Sequence, residues 1–125
     1  MMPNGSLVTG FQRRILPNGK ISPEIVFWER NGLRHGEFVM PKADKDDETR
    51  VHGLSYNIDS SLLAVHCTLD GQEQLQIYSR SNWKWYCKQI VYIQANTLGL
   101  VTLLWHKKYQ LLLAFVSGLV EFLEF

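Results

Sequence analysis

The chain carries a repeat with a period of about 50 residues, and a fixed period in this range marks a repeat architecture. Shifted by that period, Phe27-Trp28 falls on Ile77-Tyr78, Arg30 on Arg80, Gly32 on Asn82, Leu33 on Trp83 and Arg34 on Lys84. Val51 falls on Val101, and Leu62-Leu63-Ala64-Val65 falls on Leu112-Leu113-Ala114-Phe115. A chain of 125 residues holds only about two and a half such units.

Residues Val51–Ile90 read as the complete unit. Val51–Tyr56 alternates and predicts a strand; Asn57–Ser61 is a turn cluster whose side chains can hydrogen-bond their own backbone. Leu62–Thr68 is a short apolar run, the pattern of a buried strand. Leu69–Glu73 turns the chain, Leu75–Tyr78 alternates with one apolar face, Arg80-Ser81-Asn82 is a short turn, and Trp83–Ile90 is an aromatic-rich strand. Four strands in this length, with no helical period, describe a β-propeller blade.

The flanks follow the same plan. Ser6–Phe11, Glu24–Glu29 and Leu33–Val39 match the second, third and fourth strands of an earlier blade. Asn31-Gly32 is the strongest short hairpin signal, since both central positions tolerate positive φ. Leu100–Trp105, Leu111–Val116 and Leu119–Phe125 match the first three strands of a later blade. Arg13–Pro23 predicts an exposed loop, because Pro17-Asn18-Gly19 and Ser22-Pro23 are turn chemistry. The fold class is therefore all-β: a partial WD40-type β-propeller, one full four-stranded blade flanked by two incomplete ones. The division is a partial blade over 1–40, a charged linker over 41–50, a complete blade over 51–92 and a partial blade over 93–125.

Propellers close with about 4–8 blades. Fewer leave apolar sheet faces in water, here expected to include Leu103, Trp105, Leu112 and Phe122, and an unpaired C-terminal strand is a template for mispairing. The two partial blades do not complement each other into one clean blade. The expectation is a piece of a larger protein.

Composition excludes several classes. With 46% apolar and 20% charged residues the chain is globular, and its net charge of +1 provides no strong footprint for nucleic acid. Met1-Met2-Pro3-Asn4-Gly5 lacks the basic start and apolar core of a signal peptide. No apolar run approaches the roughly 18 residues of a membrane span, so a soluble protein is expected. Two cysteines, Cys67 and Cys87, are too few for a disulfide scaffold or a zinc site, and both read as reduced and intracellular.

Candidate chemistry reduces to ordinary structural roles. His35, His52, His66 and His106 show no metal-ligand spacing on one element. His52 and His66 can approach across neighbouring strands, where hydrogen bonding is the expected role; His35 is expected to bond a turn carbonyl. His66 and Cys67, being adjacent on a strand, point to opposite faces, which disfavours a nucleophile pair. Asp59-Ser60-Ser61 is a turn cluster, and Gly32-Leu33-Arg34-His35-Gly36 lacks the helix that would complete an anion site. The acidic run in Pro41–Arg50 lacks the glycine of a calcium loop and reads as solvated linker. Trp83, Trp85 and Tyr86, interleaved with Lys84 and Lys88, have the composition of an RNA-stacking surface, but packed aromatics beside solvated lysines is the preferred reading. Arg13, Arg14 and Lys20 form a basic loop. No catalytic, cofactor-binding or metal-ligating residue is named.

Three stretches carry a family resemblance. Phe11-Gln12-Arg13-Arg14 followed by Ile25–Phe38, with its Asn31-Gly32-Leu33-Arg34-His35-Gly36-Glu37-Phe38, resembles the N-terminal WD40 region of the largest Elongator subunit, the IKAP family. Leu54–Val65 is similar to that family's Leu-Leu-Trp-Asn-x-Asp-Ser-Ser-x-Leu-Ala-Val, with Tyr56 in place of Trp and a shorter loop following at Leu69–Glu73. Asn82-Trp83-Lys84-Trp85-Tyr86-Cys87-Lys88-Gln89 is similar to its Asn-Tyr-His-Trp-Tyr-Leu-Lys-Gln. The match runs in order over about residues 9–105 and covers a small part of that large subunit.

The resemblance implies a non-catalytic scaffold segment, without cofactor or small-molecule ligand. It would hold other Elongator subunits so that the wobble uridine of certain tRNAs is modified elsewhere in the complex, with tRNA met only indirectly. It implies a cytoplasmic protein, with the nucleus as a second location, and no membrane. The alternative is a generic WD40 interaction module of another complex. Two further competitors are an enzyme domain on a propeller, which needs convergent acids or a metal in a central funnel, and a direct RNA-binding surface, which would show salt-dependent tRNA binding.

Overall fold

The computed structural model describes Met2, Gly5 and residues 7–41, 49–81 and 84–125. Among the described residues, ten strands form three antiparallel sheets. The first sheet holds β1 (Leu7–Ile15), β2 (Ile21–Glu29) and β3 (Arg34–Val39) in that order. The second holds β4 (Arg50–Tyr56), β5 (Leu62–Leu69), β6 (Gln72–Ser81) and β7 (Lys84–Tyr92), also in order. The third holds β8 (Leu100–Lys107), β9 (Gln110–Phe115) and β10 (Val120–Glu124). A 3₁₀ turn, Ala95–Thr97, lies between the second and third sheets. Within each sheet, consecutive strands pair by short hairpins, the meander of a propeller blade.

The sheets stack with the four-stranded one in the middle. One core lies between the first and second sheets and contains Ile25, Phe27, Met40, Leu63, Val65, Cys67 and Tyr78. The other lies between the second and third and contains Leu62, Ala64, Leu75, Ile77, Leu111, Leu113 and Phe115. Because side chains alternate along a strand, β5 sends Leu63, Val65 and Cys67 to one core and Leu62 and Ala64 to the other. A strand covered on both faces must be apolar at successive positions, which is why Leu62–Val65 is a continuous run.

The repeat extends to the irregularities. A register shift interrupts β2–β3 between Phe27 and Trp28, and another interrupts β6–β7 between Ile77 and Tyr78. These positions superpose under the sequence period. The strands β4 and β8 also carry shifts near their starts, between Val51 and Gly53 and between Leu100 and Thr102, one position out of the period. Bulges of this kind increase local twist and re-aim side chains, so their recurrence sets a common shape for each sheet.

Several sequence expectations need correction. Arg13–Pro23 is not a loop: β1 continues to Ile15, β2 begins at Ile21, and Ser22 and Pro23 are buried. Pro23 is accommodated because it stands opposite Met40, just past the end of β3: its carbonyl accepts from Met40 N–H (2.9 Å), and the reciprocal bond that proline cannot donate falls outside the β2–β3 ladder. Around Asn31-Gly32 only Gly32 takes positive φ (90°). Gly32 N–H donates to the Glu29 carbonyl, closing a three-residue loop with Gly32 as a left-handed bulge. The same loop recurs at Gly19 and Gly118. The tighter turn is Asp70-Gly71, where both residues have positive φ (52° and 73°). The Leu69–Glu73 turn is thus only two residues long between β5 and β6.

Leu75–Tyr78 alternates with one apolar face. Both faces are buried, because Gln74, Gln76 and Tyr78 point into the seam against the first sheet. There Gln76 Nε2 donates to Gln74 Oε1 (3.0 Å) and the Tyr78 hydroxyl donates to Gln76 Oε1, which keeps the buried amide groups partnered. Leu103 and Trp105, expected on an open face, are half-buried against the core between the second and third sheets. The open face of the third sheet carries Phe122 (58% exposed) and Leu112, both expected there, with Leu104 (60%) in place of Leu103 and Trp105. Residues Lys42–Glu48 of the charged linker, and Asn82 and Trp83, lie outside the described residues.

Candidate functional site

The two seams between sheets are fixed by specific groups. In the first, Phe27, Phe38, Tyr56 and Tyr78 gather with Trp85, whose ring lies 5.8 Å from Phe27 at 15°. The Tyr56 hydroxyl meets Thr9 Oγ1 at 2.7 Å. Burial pushes the Tyr56 phenol up to about 12, so it stays neutral and keeps this bond. Trp85 is therefore part of the joint, with the Arg80 guanidinium 5.7 Å over its ring, and is not an open stacking platform. Trp83 is outside the described residues.

In the second seam, Asn57 is fully buried and does more than turn the chain. Its Oδ1 accepts from Leu62 N–H (3.0 Å), and its Nδ2 donates to the Lys108 carbonyl (2.8 Å) across the joint. Trp105 Nε1–H donates to the Ser55 carbonyl (3.1 Å) beside it. The Asn-Ser-rich turn was visible in the sequence; its grip on the next sheet was not, because nothing local encodes a partner about 50 residues away.

His52 and His66 meet on this side of the middle sheet, with ring centres 4.9 Å apart. They line a cleft of about 310 Å³ with Gly53, Leu54, Ser55, Val101, Thr102 and Leu103. His66 Nε2 lies 2.6 Å from Glu73 Oε2, and His52 Nε2 lies 2.8 Å from Thr68 Oγ1. The same Glu73 oxygen accepts from Leu100 N–H (3.3 Å), which ties the first residue of β8 to the middle sheet. Burial first, and the neighbouring His66 second, hold His52 below the ordinary imidazole value. Both rings serve as hydrogen-bonding members of the joint. Among the described residues, no group of three or more His, Cys, Asp or Glu is arranged to hold a metal ion.

Cys67 faces the opposite core from His66, and burial pushes its thiol up to about 12. A thiol so protonated is a poor nucleophile. His35 lies 3.6 Å from the Glu29 carboxylate, so its partner is an acid and not a turn carbonyl. Arg14 and Arg34 converge on Glu24 (3.1 and 3.6 Å), a carboxylate buried on the outer face of the first sheet, to which Gln12 Nε2 also donates (3.0 Å). Arg13 reaches the Thr49 carbonyl (3.1 Å). The expected basic loop is thus mostly spent on internal contacts, and the sequence offered no sign of Glu24 as its centre.

No helix among the described residues is long and apolar enough to cross a membrane. What the geometry presents is a set of stacked sheets with exposed outer faces and turn-lined rims: the class is a partial β-propeller.

A family model described as the ELP1 first N-terminal beta-propeller matches residues 1–108. The chain belongs to this family, that of Elongator complex protein 1. It is 32% identical over 126 residues to Elongator complex protein 1 of Saccharomyces cerevisiae, covering 98% of this chain and 8% of that protein. Against the Rattus norvegicus protein it is 37% identical over 113 residues (82% and 8%), and against that of Schizosaccharomyces pombe 32% over 107 residues (86% and 7%). The chain thus spans less than a tenth of the length of these relatives.

Proposed function

We propose that this chain is a non-catalytic scaffold segment of Elongator, which holds other subunits of the complex while the modification of tRNA wobble uridine takes place elsewhere. The single observation that carries this reading is the propeller-family match over residues 1–108, shared with relatives named as an Elongator subunit. Each sheet acts as one blade: residues 1–40 and 93–125 as incomplete blades, 51–92 as the complete one, joined by a linker over 41–50. Rims and outer faces are then the working surfaces, and tRNA is reached only through the assembled complex. The location that goes with this role is the cytoplasm, with a nuclear pool.

Affinity capture of the tagged chain from its own cells tests the proposal. Co-purification of other Elongator subunits, with loss of wobble-uridine modification when the chain is deleted, is the expected result. Capture of an unrelated complex, with modification intact, would sink it. Fractionation of the same cells checks the location.

A further inference from the structure

The geometry points to one rim of the stacked sheets as a docking surface for an acidic segment of a partner protein that also carries aliphatic side chains. This deepens the scaffold reading by naming the class of segment held.

Strand direction decides which turns share a rim. Contacts across both seams (Thr9 with Tyr56, Trp105 with Ser55, Asn57 with Lys108) bring the β2–β3, β4–β5, β6–β7 and β8–β9 turns to the same end of the stack. That end carries Arg30, Arg80, Lys84 and Lys107, all exposed, and among the described residues none of the four is in an ion pair. Among the described residues the acids of this end have partners, but only Asp59 is held by a lysine or arginine. Asp59 is held by Lys108 (3.0 Å) and Ser61 (2.6 Å), Glu29 faces His35 (3.6 Å), and Glu124 accepts from Gln110 (3.3 Å). Glu29 and Glu124 keep their charge, yet with Lys108 the exposed lysines and arginines of this rim outnumber its carboxylates, an excess of positive charge on a chain whose net charge is only +1.

Two aliphatic side chains stand among these cations, Leu33 (62% exposed) and Ile58 (75%). This favours a peptide over RNA. Single-stranded RNA binds on exposed aromatic platforms; among the described residues of this rim, Trp85 is turned into the seam and the Tyr109 ring, 45% exposed, has the Lys108 ammonium 5.1 Å over it. The turns are short and internally bonded, with Leu33 N–H donating to Asn31 Oδ1 and Ser61 N–H to Asp59 Oδ1, so little ordering cost falls on this side of the contact.

The test is fluorescence anisotropy of the chain with a labelled peptide of repeated Glu-Glu-Leu, its Gln-Gln-Leu counterpart, and an oligouridylate of similar length. Binding of the Glu peptide alone is expected, weakened roughly tenfold by added salt and to a similar extent by Arg30→Glu with Lys84→Glu and Lys107→Glu. Ile58→Ser is expected to weaken it about threefold by removing an apolar contact. The salt titration needs no substitution, so it reads the surface even if a variant folds poorly. Equal binding of the Gln peptide, no binding of the Glu peptide, or tighter binding of the oligouridylate would each overturn the inference. Capture of Elongator subunits together with any of these results would overturn this inference and leave the scaffold reading standing; failed capture with the Glu peptide bound would do the reverse.

Discussion

The strands β5 and β9 begin from nearly the same sequence and end in different surroundings. Leu62-Leu63-Ala64-Val65 is buried at every position, whereas in Leu112-Leu113-Ala114-Phe115 burial alternates, with Leu113 and Phe115 buried and Leu112 and Ala114 only half-buried. The faces correspond. Leu63 and Leu113 both point to the sheet before their own. Leu62 points to the sheet after it, while Leu112 points to the open face that also carries Leu104 and Phe122. The lesson is that this motif sets a two-faced apolar strand, and the neighbouring sheet, not the motif, decides how much of it is removed from water.

The largest test of that difference introduces charge. Leu62→Asp places a carboxylate in the core between the second and third sheets and is expected to abolish cooperative unfolding of the chain, since an unpaired buried charge is among the costliest single changes. Leu112→Asp places the same group on the open face and should leave a cooperative transition. Circular dichroism during thermal unfolding distinguishes the two; equal disruption would mean that the open face is covered.

Asn57 sharpens the comparison at the joint itself. Asn57→Ala removes a buried amide whose partners, Leu62 N–H and the Lys108 carbonyl, are then unpaired. A cost of about 1–3 kcal/mol is expected in urea unfolding. If the bonds to β5 and to Lys108 act together, hydrogen exchange should accelerate in β8 and β9 more than in β1. Uniform acceleration would show that Asn57 does not grip the third sheet in particular.

A smaller effect is expected from pH. The groups facing His52 are His66 on β5, Glu73 on β6 and Arg50 on β4, while β8 lines the cleft with uncharged Val101, Thr102 and Leu103. Because His52 is depressed in the folded chain, the unfolded chain takes up the proton first. Its contribution to stability is fully present above the ordinary imidazole value of 6.5 and is lost as pH falls below it through the folded value. Stability should therefore decline below about pH 6.5, and the decline should be shallower in His52→Gln. An unchanged slope in that variant would assign the effect to other groups.

How much of this was legible in the sequence follows from where each signal lives. The period, the alternation in Val51–Tyr56 and the apolar run at Leu62 are local patterns, and they placed the strands of all three sheets. Pro23 misled, because proline chemistry reads as a turn unless the end of β3 is known. Gln74 and Gln76 read as a polar face, because burial against the first sheet is a property of the stack. At the candidate surfaces, the closeness of His52 and His66 was inferable from adjacent strands. The convergence of Arg14 and Arg34 on Glu24 was not, since it needs three strands in register. The charged rim was equally hidden, because its members are scattered from Arg30 to Lys107 and meet only when the sheets stack.

The most direct measurement of the central claim is the pair of truncations at equivalent positions in this chain, Leu62→Ala and Leu112→Ala, followed by urea unfolding, with Leu63→Ala and Leu113→Ala as the covered reference. Leu62→Ala, Leu63→Ala and Leu113→Ala should each cost about 2–5 kcal/mol, and Leu112→Ala about 1 kcal/mol, because its side chain is only half removed from water. A cost for Leu112→Ala as large as that for Leu62→Ala would contradict the account, since it would mean that the motif alone, and not the sheet beside it, fixes the burial of the strand.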